Sequence, residues 1–121
     1  MALGGRPGVY SARYAVVEDR WNDVAIEIQY AGVINLAAWA GVRASVRNPW
    51  VYVESNMTGT LNMLEICRQT GTKKFLLAST SSIYGAEPPY PTPETASSDA
   101  PLQPYAASKK GAEALAHAYH Y

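Results

Sequence analysis

Cysteine is nearly absent: Cys67 is the single one in 121 residues. That excludes an internal disulfide and a cysteine-based zinc site, and it suits a reducing, cytoplasmic setting. Neither sign of charge is in excess, since ten basic residues stand against ten acidic ones. Nucleic acid and anionic membrane surfaces call for clustered Lys and Arg, so neither is an expected partner. The pairs Lys73-Lys74 and Lys109-Lys110 are too short to make such a patch. No apolar run approaches the roughly 18 residues of a membrane span, and no basic-then-apolar signal pattern opens the sequence. His117 and His120 have no third ligand at metal-binding spacing, so no metal site is expected. What remains is an ordinary globular composition, 48% hydrophobic and 17% charged, with room for one core.

Residues 1–12 are rich in glycine, proline and small side chains and follow no sustained period. Tyr14–Val17 reads as a short strand and Glu18–Tyr30 as a helix, with Trp21, Val24 and Ile28 at helical spacing. From residue 32 the signals sharpen. Gly32–Ala37 is a short apolar run, as expected of a strand buried on both faces. Small residues follow it at Ala37, Ala38, Ala40 and Gly41, which suits either close approach of a ligand to the backbone or tight helix–strand packing. Asn48-Pro49 opens a long helix closed by Gly71. Its expected apolar stripe is Val53, Met57, Leu61 and Leu64, and Cys67 reads as a small core side chain. Asn56 lies beside that stripe, and a buried amide needs partners. It either pairs with nearby backbone or touches a ligand.

Phe75–Ser79 repeats the buried-strand pattern and ends in four hydroxyl residues, Ser79 to Ser82. Polar residues at the carboxyl end of a parallel strand are where open α/β sheets place their chemistry. Ala86–Gln103 contains five of the eight prolines and reads as a long loop, of the kind that often covers a site. Pro104–Tyr121 is an alanine-dense helix with Ala112, Leu115 and Tyr119 on its apolar face. The three tryptophans, Trp21, Trp39 and Trp50, are expected to pack in the core or against a partner.

Tyr105 and Lys109 stand four residues apart at the start of that last helix, one turn above each other on one face. A phenol titrates near pH 10 and is a poor base at neutral pH. A neighbouring ammonium favours the phenolate and brings it into useful range. With a hydroxyl from Thr80 sharing the same substrate oxygen, the three make a proton-transfer device.

Four ordered blocks carry a family resemblance: Val33–Arg43, Asn56–Glu65, Lys74–Gly85 and Tyr105–Glu113. Their order resembles the extended short-chain dehydrogenase/reductases, in the nucleotide-sugar epimerase/dehydratase branch, and is most similar to the UDP-glucuronate and UDP-glucose 4-epimerases. The resemblance implies a Rossmann-like doubly wound parallel α/β fold and NAD as cofactor. Tyr105 would be the general acid/base, Lys109 would lower its pKa and bond the nicotinamide ribose, and Thr80 would bond the reacting sugar oxygen. Ser81, Ser82 and Arg43 would contact the nucleotide-sugar substrate, a UDP-sugar. Leu36, Ala37, Ala38 and Asn56 would lie on the cofactor side. In the dehydratases the positions of Ser81 and Ser82 resemble an acidic pair that eliminates water, and two serines supply no such acid. The resemblance therefore implies epimerisation at C4 through a 4-keto sugar.

The blocks cover residues 32–121 as the central part of an NAD-binding domain, and residues 1–31 match poorly. The family's opening strand, Gly-x-x-Gly-x-x-Gly turn and helix have no counterpart, since Gly4-Gly5-Arg6-Pro7-Gly8 is wrongly spaced. The C-terminal substrate domain is unmatched too. The sequence thus resembles an internal piece of the family fold, expected to bind NAD poorly and to be inactive alone. The family is often homodimeric, and unpaired strand edges would favour self-association. The competing expectation is a non-catalytic α/β module that keeps these residues without a cofactor site.

Overall fold

The structure, a computed structural model, describes residues 31–120. The strand expected at Tyr14–Val17, the helix expected at Glu18–Tyr30 and Trp21 lie outside the described residues. Two short apolar runs form the sheet. Strand β1 (Val33–Asn35) pairs in parallel with β2 (Phe75–Leu77), with Ile34 opposite Leu76 and Asn35 opposite Leu77. A parallel pair needs a long crossover, and residues 36–74 supply it as helix.

Helix α1 (Val42–Arg47) comes first. No expectation covered it. Six residues are too few to hold a helix by propensity. Here Ser45, fully buried, donates its hydroxyl to Val42 O at 2.6 Å, and α1 rests on the last helix. Helix α2 (Trp50–Tyr52) starts directly after Asn48-Pro49, as the start signal predicts. The helix then runs on to Thr70, but not as one α-helix. Val53–Thr58 is a π segment in which Gly59 N–H bonds Glu54 O, five residues back. Helix α3 (Gly59–Thr70) completes it.

The π segment and the tertiary contacts correct the expected stripe. Of Val53, Met57, Leu61 and Leu64 only Leu64 is buried, whereas Tyr52, Asn56, Thr60, Met63 and Cys67 turn inward. Two of those inward residues, Asn56 and Thr60, are polar, and a pattern search for apolar side chains passes over them. Gly71 ends α3 in the left-handed conformation, φ 68°. Its N–H returns to Arg68 O, and the Thr72 N–H to Cys67 O, the paired bonds of a Schellman ending.

Beyond β2, a 3₁₀ turn (Ser81–Tyr84) leads into the proline-rich stretch 86–103, which forms no regular element. Helix α4 (Pro104–Ala118) begins with proline in its first turn. Its buried positions are Ala106, Ser108, Lys109 and Ala112, while Leu115 and Tyr119 are half-buried. It crosses the π segment closely at Gly111, where an added Cβ would come 2.7 Å from Met57 Cε.

The strands are not buried on both faces, contrary to the expectation. Ile34 is 66% exposed and Leu76 63% exposed. Paired residues share a face. Among the described residues α3 and α4 pack on the other face, the one carrying Val33, Asn35, Phe75 and Leu77. Trp39 and Trp50 are not core residues either, since they are 45% and 80% exposed. Cys67 is buried as expected.

Candidate active site

Both strands point their carboxyl ends toward the same side, and the segments leaving them make two walls. The first wall is residues 36–41. Asn35, 5% exposed, organises it. Its Oδ1 accepts the Ala37 N–H at 3.2 Å, and its Nδ2 donates to Thr60 Oγ1 at 3.3 Å. Asn35 therefore ties the segment leaving β1 to α3. Leu36, Ala37, Ala38 and Ala40 stand exposed along that segment. Gly41 closes it with φ 124°, a conformation side chains rarely adopt.

The second wall is residues 78–85. Thr80 caps the 3₁₀ turn, with its Oγ1 accepting the Ser82 N–H at 3.2 Å. Thr80 and Ser82 are half-buried, and Ser81 is exposed. Ile83 is buried and anchors the turn.

Helix α4 joins the walls. Its Lys109, 3% exposed, donates from Nζ to Ala78 O at 2.5 Å, two residues before Thr80. Burial pushes the Lys109 ammonium below the ordinary lysine range, and the Glu113 carboxylate offsets part of this. The hydrogen bond that Lys109 makes is thus to the end of β2, with Tyr105 one turn earlier on the same helix. Tyr105 is half-buried, and its ring meets the edge of Tyr52, centroids 6.1 Å apart and planes at 72°. Arg43 is exposed on α1, which packs against α4.

Asn56 is 1% exposed, and its whole amide is paired within the protein. Oδ1 accepts the Trp39 N–H at 2.7 Å, while Nδ2 donates to Trp39 O at 3.1 Å and to Ser108 Oγ at 2.9 Å. Ser108 in turn donates to Tyr105 O at 2.7 Å. Of the two readings open for Asn56, the geometry supplies the pairing with backbone. It binds the first wall to the helix bearing Tyr105.

Sequence reasoning did not single out Asn35, Tyr52, Ala78 or Ser108. Tyr52, Asn56 and Thr60 recur every fourth residue, the one signal that would have shown this inner face. Among the described residues no group of His, Cys, Asp and Glu could hold a metal ion. No helix among them is long and apolar enough to cross a membrane.

Comparison with known proteins agrees with this architecture. Residues 16–121 match the GDP-mannose 4,6 dehydratase family, starting ahead of the four blocks. The chain is 60% identical over 91 residues to a UDP-glucuronate 4-epimerase of Thermodesulfobacterium geofontis, covering 75% of this chain and 28% of that protein. It is 46% identical over 120 residues to a probable UDP-glucuronate 4-epimerase of Rhizobium meliloti, covering 98% of this chain and 35% of that protein. The chain therefore spans about a third of the length of these relatives. Among solved structures, the UDP-glucose 4-epimerase of Brucella ovis in complex with NAD superposes with a TM-score of 0.70 at 34% identity, covering 74% of this chain and 27% of that one.

Proposed function

The chain belongs to the GDP-mannose 4,6 dehydratase family, and on that premise we propose that it carries the proton-handling part of an NAD-dependent nucleotide-sugar 4-epimerase. The observation that carries this reading is the bond from Lys109 Nζ to Ala78 O. It brings the Tyr105 helix against the segment that holds Thr80, Ser81 and Ser82.

In this reading the Tyr105 phenol exchanges a proton with the sugar's C4 hydroxyl, and Thr80 Oγ1 bonds the same oxygen. Lys109 supplies positive charge beside them, and its burial sharpens that effect by excluding water. Ser81, Ser82 and Arg43 orient the nucleotide sugar, which the relatives suggest is a UDP-sugar. Binding and orientation supply much of the rate. Ser81 and Ser82 offer no acid for water elimination, which favours epimerisation over dehydration.

The residues present fit the nicotinamide-ribose end of NAD. The exposed segment Leu36–Ala40 offers one side of the approach, and Lys109 stands at the other as a hydrogen-bond donor. When bound, NAD would accept a hydride from the sugar and return it to the other face. Asn56 supports this side by holding the Trp39 backbone.

The test is Tyr105→Phe in the protein given UDP-glucuronate and NAD⁺, with products separated by chromatography. Conversion to the 4-epimer that falls at least a hundredfold in the variant supports the reading, since positioned acid/base catalysis contributes about 10²–10⁴-fold. A 4-keto-6-deoxy sugar formed from UDP-glucose, whose C6 hydroxyl can be eliminated, or undiminished conversion of UDP-glucuronate by the variant, overturns it. A second reading is an α/β interaction module that does not bind NAD and self-associates through the Ile34–Leu76 face, which is exposed among the described residues. Calorimetric titration tests the module reading, because micromolar NAD⁺ binding rules it out.

A further inference from the structure

Tyr52 touches the first wall and the Tyr105 helix with one side chain. It is 1% exposed, at the junction of α2 and the π segment. Its hydroxyl donates to Gly41 O at 2.9 Å and lies 3.3 Å from Ala40 O. Its ring meets Tyr105 edge-on at 6.1 Å. Each contact has a reason to be specific. At Gly41 a Cβ would stand 3.1 Å from the Tyr52 oxygen, so glycine there is what admits the hydroxyl. Gly41 O also accepts the Ser45 N–H at 3.1 Å, so the same carbonyl starts α1. At the other end, a T-shaped aromatic pair has a preferred orientation because the edge of one ring is positive and the face of the other negative.

We propose that Tyr52 is a positioning residue that sets the plane of the Tyr105 ring through its own ring and the place of the Ala40–Gly41 turn through its hydroxyl. The first wall and the Tyr105 helix are thereby held at one spacing. This rests on the reading of Tyr105 as the acid/base. Tyr52 itself is buried between the first wall and α4 and acts through Tyr105 and the turn. The π segment that follows it carries Asn56, whose amide holds Trp39 and Ser108. Ring and amide therefore grip Tyr105 and the turn from successive turns of one helix.

The two halves separate by substitution in the 121-residue chain. With ¹³C-labelled tyrosine, wild type should show a nuclear Overhauser contact between the Tyr52 and Tyr105 rings. Tyr52→Leu should shift the Tyr105 Cζ signal. Tyr52→Phe keeps the ring, so Tyr105 should stay as in wild type. Losing the hydroxyl bond should instead speed amide exchange at Ser45 about three- to tenfold. If Tyr52→Leu does not fold, the wild-type contact and the Tyr52→Phe exchange rate decide the matter. Absence of the ring contact, or an unmoved Tyr105 signal in folded Tyr52→Leu, overturns the ring half. Unchanged Ser45 exchange in Tyr52→Phe overturns the hydroxyl half. None of these readouts uses turnover. If Tyr105→Phe kept full activity, the acid/base reading would fall while the Tyr52 contacts would still be tested.

Discussion

Asn56 and Trp39 are bound face to face, side-chain amide against backbone. Asn56 Oδ1 accepts the Trp39 N–H at 2.7 Å, and Asn56 Nδ2 donates to Trp39 O at 3.1 Å. The two residues are 17 positions apart. The turn after β1 thus owes its shape to a helix residue that the chain reaches only after α1 and α2.

Asn56→Ala should cost about 3 kcal/mol of stability. It strands the Trp39 N–H and carbonyl and leaves a small cavity, and each orphaned buried group costs about 1–3 kcal/mol. Asn56→Asp should be worse at neutral pH and recover partly in acid, because the carboxylate cannot donate to Trp39 O or Ser108 Oγ. Urea unfolding at two pH values reads both. A loss under about 0.5 kcal/mol in the alanine variant would show that the clamp contributes nothing.

Gly111→Ala probes how closely α4 crosses the π segment. The new methyl would meet Met57 Cε at 2.7 Å and Sδ at 2.9 Å. Those atoms end a flexible side chain, so Met57 can swing away. Overpacking costs about 1–3 kcal/mol, offset by about 1 kcal/mol of helix propensity. We expect a net loss of about 1 kcal/mol that Met57→Ala largely relieves. Additive single and double variants would mean that the two residues do not touch.

Lys109 makes stability depend on alkaline pH. Burial lowers its folded-state pKa beneath the unfolded lysine value of about 10.4. Below the folded pKa both states hold the proton, and the cost of burying the charge is fully present. Between the two pKa values the unfolded state binds more protons, so this contribution rises with pH. Wild type should therefore gain stability relative to Lys109→Met as pH climbs toward that lysine value. Thermal melts of both proteins from neutral to alkaline pH measure it, and a parallel or falling difference would contradict the burial effect.

Much of the order was legible locally. Pro49 and Pro104 announce helix starts and Gly71 a helix stop, because each acts on its own φ or N–H group. The apolar runs at 33–35 and 75–77 announce strands for the same reason. The Tyr105–Lys109 spacing places both residues on one helix face before any partner is known. The four ordered blocks then identify the family.

Which side chains turn inward was settled by tertiary structure. Burial of Tyr52, Asn56 and Thr60 is tolerable only because distant groups complete their hydrogen bonds: Gly41 O, the Trp39 backbone and Asn35. Helix α1 is too short to persist without α4 beneath it. Lys109 finds Ala78 O across 31 positions of sequence. Local sequence determines propensity and covalent constraint over a few residues, and those suffice for elements and for one motif. A buried polar group is favourable or costly according to its partner, and only the folded chain brings the partner.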